Sequence, residues 1–75
     1  MDTATALKLS KVRALTESGA ARTIRIAARL SLPEVADAID SHPTTIWRWE
    51  GGERKPHGDV GVRYADFLQT LMEAS

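Results

Sequence analysis

Two tryptophans flank one arginine in the segment HPTTIWRWEGGERKP, which covers residues 42–56, and the chain contains no other tryptophan. An arginine side chain can donate two parallel hydrogen bonds to a planar acceptor or to an anion. A tryptophan that faces solvent offers a large apolar surface, which is typical of residues that contact a partner. The segment therefore has the chemistry of a binding surface.

Catalytic and metal-binding chemistry is poorly represented in the chain. There is no cysteine, and His42 and His57 fall in separate turn and loop segments with no cluster of further ligands, so we expect no metal site. Ser31, the carboxylates and the histidines form no nucleophile and base pattern, and the pair Gly51-Gly52 lacks the lysine and the hydroxyl residue of a phosphate-binding loop. The sequence predicts that the protein is not an enzyme and has no cofactor.

Length and composition favour one small globular domain. The chain has 75 residues, of which 43% are hydrophobic and 27% charged. No apolar run approaches the roughly 20 residues of a membrane span, so we expect no membrane association. The lack of cysteine fits a reducing compartment, and we expect a cytoplasmic location.

Glycines and prolines divide the chain into helical lengths, and runs of alternating β-branched residues are absent. The sequence predicts an all-α fold in a single domain over residues 1–75. We expect a leading helix at about 5–17, two short helices at about 31–39 and 43–50, and a last helix at about 59–73. A further helix is expected after Ser18, which is a candidate cap, with a packed face formed by the apolar residues Ala20, Ala21, Ile24, Ala27 and Ala28.

Local signals mark the ends of the two short helices. Ser31 and Glu34 have the spacing of a capping box, so a helix begins at Ser31. Pro43 suits the first position of the next helix, and Gly51-Gly52 is expected to end it in a left-handed backbone. In the last helix, Gly61 is expected to be a mild weakness.

A helical wheel separates the two tryptophans. At 100° per residue, Trp47 and Trp49 lie about 200° apart, so they cannot face the same way. Trp49 falls close to Ile46, and these two are expected to be the buried pair. The opposite face then consists of Pro43, Thr44, Trp47 and Arg48. Either this face contacts a partner, or Trp47 lies flat on a neighbouring helix and Arg48 is a solvated charge.

Two short helices joined by a tight turn form a helix-turn-helix pattern, whose second helix enters the major groove of DNA. Residues 30–56 resemble the lambda-repressor/Cro-like family, also called the XRE family, without a gap. The matching residues are Leu30-Ser31, Glu34-Val35-Ala36, Ile39, Thr45-Ile46, Arg48-Trp49-Glu50, Gly52 and Arg54-Lys55-Pro56. The resemblance extends over roughly residues 20–68. It implies a five-helix all-α fold that binds double-stranded operator DNA, commonly as a homodimer.

The resemblance also assigns roles to individual residues. The base-reading positions correspond to Pro43, Thr44, Trp47 and Arg48. The phosphate-contacting positions correspond to the backbone amide of Leu32 and to Thr45, Arg54 and Lys55, with Arg22 and Arg29 either joining them or forming a solvated helix flank. Arg25 and Glu50 correspond to a structural ion pair of the family. The helical wheel places Glu50 on the inward side of its helix, where a carboxylate without a positive partner would be costly. Asp40 stands where the family usually has a glycine in the turn, so we expect slight backbone strain there.

These features predict a sequence-specific DNA-binding transcriptional regulator, of Cro or repressor type, from a phage, prophage or bacterium and located in the bacterial cytoplasm. The alternative is a helix-turn-helix module that binds a protein through Trp47, as an antirepressor or antitoxin would. A formal charge of zero and the apolar Pro43 favour the alternative, whereas Arg48, Arg54 and Lys55 favour DNA. The apolar residues Phe67, Leu71 and Met72 either form a homodimer interface or are covered by the leading helix.

Overall fold

A computed structural model describes all residues from 1 to 75 and contains five helices and no strand. The helices are α1 (Thr3–Ser18), α2 (Ala20–Ala27), α3 (Leu32–Ala38), α4 (Pro43–Glu50) and α5 (Gly58–Ala74). The prediction of an all-α fold with five helices is thus confirmed. No helix is long and apolar enough to cross a membrane.

Side-chain caps explain where α1 and α3 begin. The Oδ1 atom of Asp2 accepts a hydrogen bond from the amide of Thr5 at 2.8 Å, and this bond lowers the pKa of the Asp2 carboxyl. At α3, the Ser31 hydroxyl accepts from the Glu34 amide at 3.2 Å, while the Glu34 carboxylate accepts from the Ser31 amide at 2.9 Å. The predicted capping box is therefore present, and it satisfies two amides that the helix itself cannot bond.

The start of α2 differs from the prediction. Gly19, rather than Ser18, occupies the cap position, with a left-handed φ of 86°. The Ser18 hydroxyl still accepts a hydrogen bond from the amide of Ala20 at 3.2 Å. The expected packed face is also shorter than predicted, because α2 ends at Ala27 and leaves Ala27 itself exposed. The next residue, Ala28, is exposed as well.

Three helices end in turns of the same type. In each turn an amide donates a hydrogen bond to the carbonyl five residues earlier, and the residue before that amide has a left-handed backbone. The bonds are Leu30 to Arg25 after α2, Ser41 to Ala36 after α3 and Glu53 to Arg48 after α4. The left-handed residues are Arg29, Asp40 and Gly52, with φ of 60°, 55° and 76°. Asp40 thus has the expected backbone, while the left-handed glycine after α4 is Gly52 because Gly51 keeps a helical φ of −81°. These turns allow three short helices to change direction within a few residues.

The core lies where the five helices converge. Its buried members are Val12, Ala21, Val35, Ala36, Ile39, Ile46, Trp49, Tyr64 and Leu68. The rings of Trp49 and Tyr64 are tilted against each other with centroids 5.0 Å apart, a favourable geometry for aromatic packing. The inner face of α4 is therefore anchored in the centre of the molecule.

Gly61, expected to be a mild weakness in α5, lies at a close packing contact. It is buried, and a Cβ atom placed on it would lie 3.0 Å from Leu9 Cδ2 and 3.0 Å from the carbonyl carbon of Pro56. Such distances require a neighbour to shift. The glycine permits close packing of α5 on α1 and on the preceding loop, an advantage that helix propensity alone does not show.

Candidate nucleic-acid interface

The outer face of α4 is exposed, as the helical wheel predicted. The Trp47 residue is 56% exposed, whereas Trp49 is 2% exposed. Pro43, Thr44 and Arg48 are also exposed, so the structure places all four predicted base-contacting residues on one accessible face. An exposed tryptophan beside an unpaired arginine is a surface suited to bind a partner.

The N-terminal end of α4 is positioned by the turn that follows α3. Asp40 reverses the chain in its left-handed conformation, and Pro43 occupies the first turn of α4. From α5, the Nε atom of Arg63 donates a hydrogen bond to the carbonyl oxygen of Ile39 at 2.9 Å. This bond ties the turn to the last helix. Sequence reasoning missed Arg63 because the two residues are distant in the chain and no local pattern joins them.

The C-terminal end of α4 is held by Arg25 and Glu50. Arg25 Nε donates to Glu50 Oε2 at 2.6 Å, and Nη2 donates to Oε1 at 2.9 Å. The third nitrogen of the guanidinium, Nη1, donates to the carbonyl of Leu30 at 3.0 Å. The side chains are only 12% and 4% exposed, and the hydrogen bond to Glu50 raises the pKa of Arg25. The structure thus brings the two predicted partners together in a bidentate pair that joins α2 to α4.

Tyr64 lies beneath this ion pair and has one unusual feature. Its hydroxyl oxygen is buried and has no hydrogen-bond partner. Burial raises the pKa of the phenol well above its usual value, and the negative charge of Glu50 acts in the same direction. The sequence contains no signal for this, because the partners available to a hydroxyl depend on the tertiary packing.

The predicted phosphate contacts fall into two groups. Thr45 and Arg54 line one concavity of about 230 Å³ beside α4, together with Arg48, Trp49 and His57. Lys55 is exposed in the same loop but is not among its lining residues. Leu32 is the first residue of α3, and its amide forms no hydrogen bond. Arg22 and Arg29 are exposed on and after α2, apart from the concavity.

The loop between α4 and α5 is anchored from α1. Pro56 is buried, and its carbonyl oxygen accepts a hydrogen bond from Arg13 Nε at 2.8 Å. Sequence reasoning assigned no role to Arg13. Its contact fixes the loop that carries Arg54 and Lys55 relative to α4.

Six of the ten lysine and arginine side chains form no salt bridge or hydrogen bond within the protein. These six are Lys11, Arg22, Arg29, Arg48, Arg54 and Lys55. Three of them, Arg48, Arg54 and Lys55, belong to α4 and the loop after it, so a formal charge of zero coexists with unpaired cations in this region. Positive charge on such a surface attracts a polyanion even when the whole protein is neutral.

Two short packed helices, a tight turn and an exposed outer face on the second helix define a helix-turn-helix protein. A family model described as a helix-turn-helix domain matches residues 19–74, which leaves α1, the two residues before it and Ser75 outside the match. The chain belongs to this helix-turn-helix family, which is part of the XRE/Cro-like group. Neither a curated protein nor a solved structure matches the chain.

Proposed function

We propose that this protein is a sequence-specific transcriptional regulator of Cro or repressor type, which covers operator DNA in the cytoplasm of a bacterial host. Membership of the helix-turn-helix family supports DNA binding in general. The observation that carries the proposal is the outer face of α4, where Trp47 is exposed beside Arg48 on a helix whose inner face is buried. The protein would act by occupying DNA and would catalyse no reaction.

Each residue of this face has a chemically distinct role in the proposed complex. Arg48 bonds O6 and N7 of a guanine, because a guanidinium reaches both acceptors at once. Trp47 supplies apolar contact to a thymine methyl group or packs on a sugar. Thr44 contacts a base or a phosphate. Pro43 has no polar group, so its contribution is limited to shape and methyl contact.

Phosphate contacts would fix the register of α4 in the groove without reading the sequence. The candidates are the amide of Leu32 and the side chains of Thr45, Arg54 and Lys55. The unpaired Leu32 amide at the start of α3 supports this assignment, since the N-terminus of a helix attracts anions. Arg22 and Arg29 are exposed and unpaired, and would reach phosphates further along the duplex.

Selection of the purified protein against random duplex DNA tests the proposal. We expect one enriched motif, bound with an affinity whose logarithm falls linearly with the logarithm of salt concentration. Binding to random and enriched sequences with the same affinity would contradict sequence-specific regulation.

A homodimer would bind two inverted half-sites whose centres are about one helical turn apart. Phe67 and Leu71 pack partly against the core, whereas Met72 is 37% exposed. Met72 also lines a groove of about 430 Å³ between α1 and α5, so the proposed contact between two copies centres on it. Sedimentation of the free protein, compared with the spacing of the selected sites, distinguishes a dimer from a monomer.

A protein-binding module is the second candidate function. It is favoured by the formal charge of zero and by the apolar Pro43 and Trp47 on the outer face. An antirepressor or antitoxin of this kind would use Trp47 as the centre of its interface, since tryptophan is enriched at interface hot spots. Absence of an enriched DNA motif, with weak duplex binding abolished by modest salt, would favour this function.

A further inference from the structure

The groove of about 430 Å³ between α1 and α5 has an apolar floor and an exposed rim. The floor is formed by Val12, Leu15 and Ala65, which are buried or half-buried. The exposed rim includes two cations on α1, and an acid, an amide and an apolar side chain on α5, which are Lys8, Lys11, Asp66, Gln69 and Met72. Exposed apolar surface with a polar border is typical of a contact site for a partner.

The two sides of α1 differ in burial. On the inner side, Leu9, Val12 and Thr16 are buried and attach the helix to the rest of the protein. On the other side, Leu7 is 56% exposed. Residues four apart lie on the same side of a helix, so Leu7 precedes Lys11 by one turn and extends the apolar surface along the groove.

The groove is separate from the surface that is proposed to face DNA. None of its lining residues lines the concavity beside α4. The match to the helix-turn-helix family begins at residue 19, so the wall formed by α1 lies outside the matched domain. A partner in the groove would therefore leave the outer face of α4 free.

The charges on the rim favour an acidic partner. Lys8 Nζ lies 3.0 Å from Asp66 Oδ1, and these two exposed groups neutralise each other. Lys11 forms no salt bridge or hydrogen bond within the protein, so its ammonium is the unpaired charge of the rim. Glu73 accepts a hydrogen bond from Gln69 at 3.1 Å and is not among the lining residues. A carboxylate placed over the groove would therefore find a free cation in Lys11.

The architecture of the groove determines how a protein segment would bind in it. Both walls are helices, whose backbone groups bond within each helix, so a partner cannot add a strand and must bind through its side chains. The lining runs from Lys8 to Leu15 on α1 and from Ala65 to Met72 on α5, which is two helical turns, or roughly 10 Å, on each wall. An amphipathic helix presents apolar side chains over such a length at spacings of three and four residues.

We propose that the groove binds an acidic amphipathic helix of a partner protein, with apolar side chains on the floor and a carboxylate paired with Lys11. The inference goes beyond the proposed function, because this contact requires no DNA. A second copy of the chain is the alternative occupant, and it would share Met72 with the partner. A two-fold contact at Met72 places one concave groove against another and brings the same lysines of both copies together, so it leaves both floors unfilled.

Titration with three synthetic helical peptides, followed by NMR signals of the backbone amides, tests the proposal. The acidic peptide has leucines spaced three and four residues apart, with glutamates beside them. The basic peptide has lysines in place of the glutamates, and the polar peptide has glutamines in place of the leucines. Each peptide is added to the wild type, to Lys11→Glu and to Lys55→Glu. Lys55→Glu is the matched control, because Lys55 is also exposed and unpaired but lies outside the groove.

The acidic peptide is expected to shift the signals of groove residues such as Leu15 and Gln69. It should bind the wild type about fivefold more tightly than the basic peptide does, which is the size of an exposed ion pair. Lys11→Glu should reverse this preference, Lys55→Glu should keep it, and the polar peptide should cause no shift. Thermal melts establish that both variants are folded, which is expected because both lysines are exposed.

Three results would overturn the proposal. The first is equal binding of the acidic and basic peptides to the wild type, or no shift with either. The second is a set of shifts at Thr44 and Trp47 in place of the groove, which would favour the outer face of α4 as the protein-binding surface. The third is groove signals that change with the concentration of the protein alone and not with peptide, which would make a second copy the occupant. Failure of the DNA selection leaves these results unchanged, so the two failures are distinguishable.

Discussion

The inner and outer faces of α4 contain the same residue type in opposite environments. On the inner face, Trp49 is 2% exposed and packs against Tyr64, next to the buried Ile46. On the outer face, Trp47 is 56% exposed beside Arg48. Because successive residues of a helix are rotated by 100°, one helix of two turns can pack in the core with one side and contact a partner with the other. Variants that damage one face and spare the other therefore test the separation directly.

The largest effect is expected from truncation of the inner tryptophan. Trp49→Ala removes a buried ring from a small core and should lower the free energy of unfolding by about 3 to 5 kcal/mol. Trp47→Ala, the matched control, should change it by less than about 0.5 kcal/mol, because the side chain is largely in solvent. Urea denaturation measures both values. Similar losses for the two variants would contradict the division into faces.

The next effect concerns the ion pair that anchors the inner face. Glu50→Ala leaves the mostly buried Arg25 guanidinium without its carboxylate and should cost about 3 kcal/mol of stability. The double variant Arg25→Met with Glu50→Leu removes both charges and should recover most of this loss. Thermal unfolding compares the three proteins. A double variant no more stable than Glu50→Ala would show that packing, rather than an unpaired charge, causes the loss.

On the outer face, Arg48→Ala should weaken binding to the best duplex by about 1 to 3 kcal/mol and relax the preference at one base pair. Lys55→Ala should instead weaken binding to all duplexes alike, since a phosphate contact reads no sequence. Neither variant should alter unfolding. Anisotropy titrations with the enriched duplex and with duplexes changed at single base pairs measure the effect. Equal losses on enriched and random DNA for Arg48→Ala would contradict base reading.

The smallest effect is expected from removal of the buried Tyr64 hydroxyl. Tyr64→Phe deletes a polar group without a partner and keeps the ring on Trp49, so stability at pH 7 should be unchanged or should rise by up to about 1 kcal/mol.

The same variant makes a prediction about alkaline pH. The pKa of Tyr64 is raised in the folded state, so above pH 10, its ordinary value, the unfolded chain loses the phenolic proton while the folded chain keeps it. Stability of the wild type should therefore fall as the pH rises above 10, and by less in Tyr64→Phe. Denaturation at pH 9 and pH 11 measures the free energy of unfolding of both proteins. An equal fall between these pH values in the wild type and in Tyr64→Phe would contradict the burial of this hydroxyl.

Much of the fold follows from short-range patterns in the sequence. The capping box of Ser31 and Glu34 spans three residues, and the burial of Trp49 against the exposure of Trp47 follows from helical periodicity. The ion pair of Arg25 and Glu50 could be predicted for two reasons. A carboxylate that faces the core needs a positive partner, and the family resemblance identified Arg25 as that partner. The contact roles of the outer-face residues stay predictions until a complex is measured.

The features that sequence reasoning missed depend on contacts between distant segments. Gly61 was interpreted through helix propensity, but the space available to its Cβ is set by Leu9 and Pro56. Arg13 and Arg63 were assigned no role, although each donates a hydrogen bond to a backbone carbonyl in another segment. No pattern within a helix or a turn contains such information.

The amino-acid sequence by itself determined the all-α fold, the capping box of α3 and the two faces of α4, because these depend on backbone sterics, on hydrogen bonds across a few residues and on a period of 3.6. Tertiary structure decided which loop lies beside α4 and which side chains share a concavity. Thr45, Arg54 and His57 line one concavity, and between the last two lies Pro56, whose carbonyl accepts a hydrogen bond from Arg13. Tertiary packing decides such contacts, because residues that are distant along the chain can be close together in the folded protein.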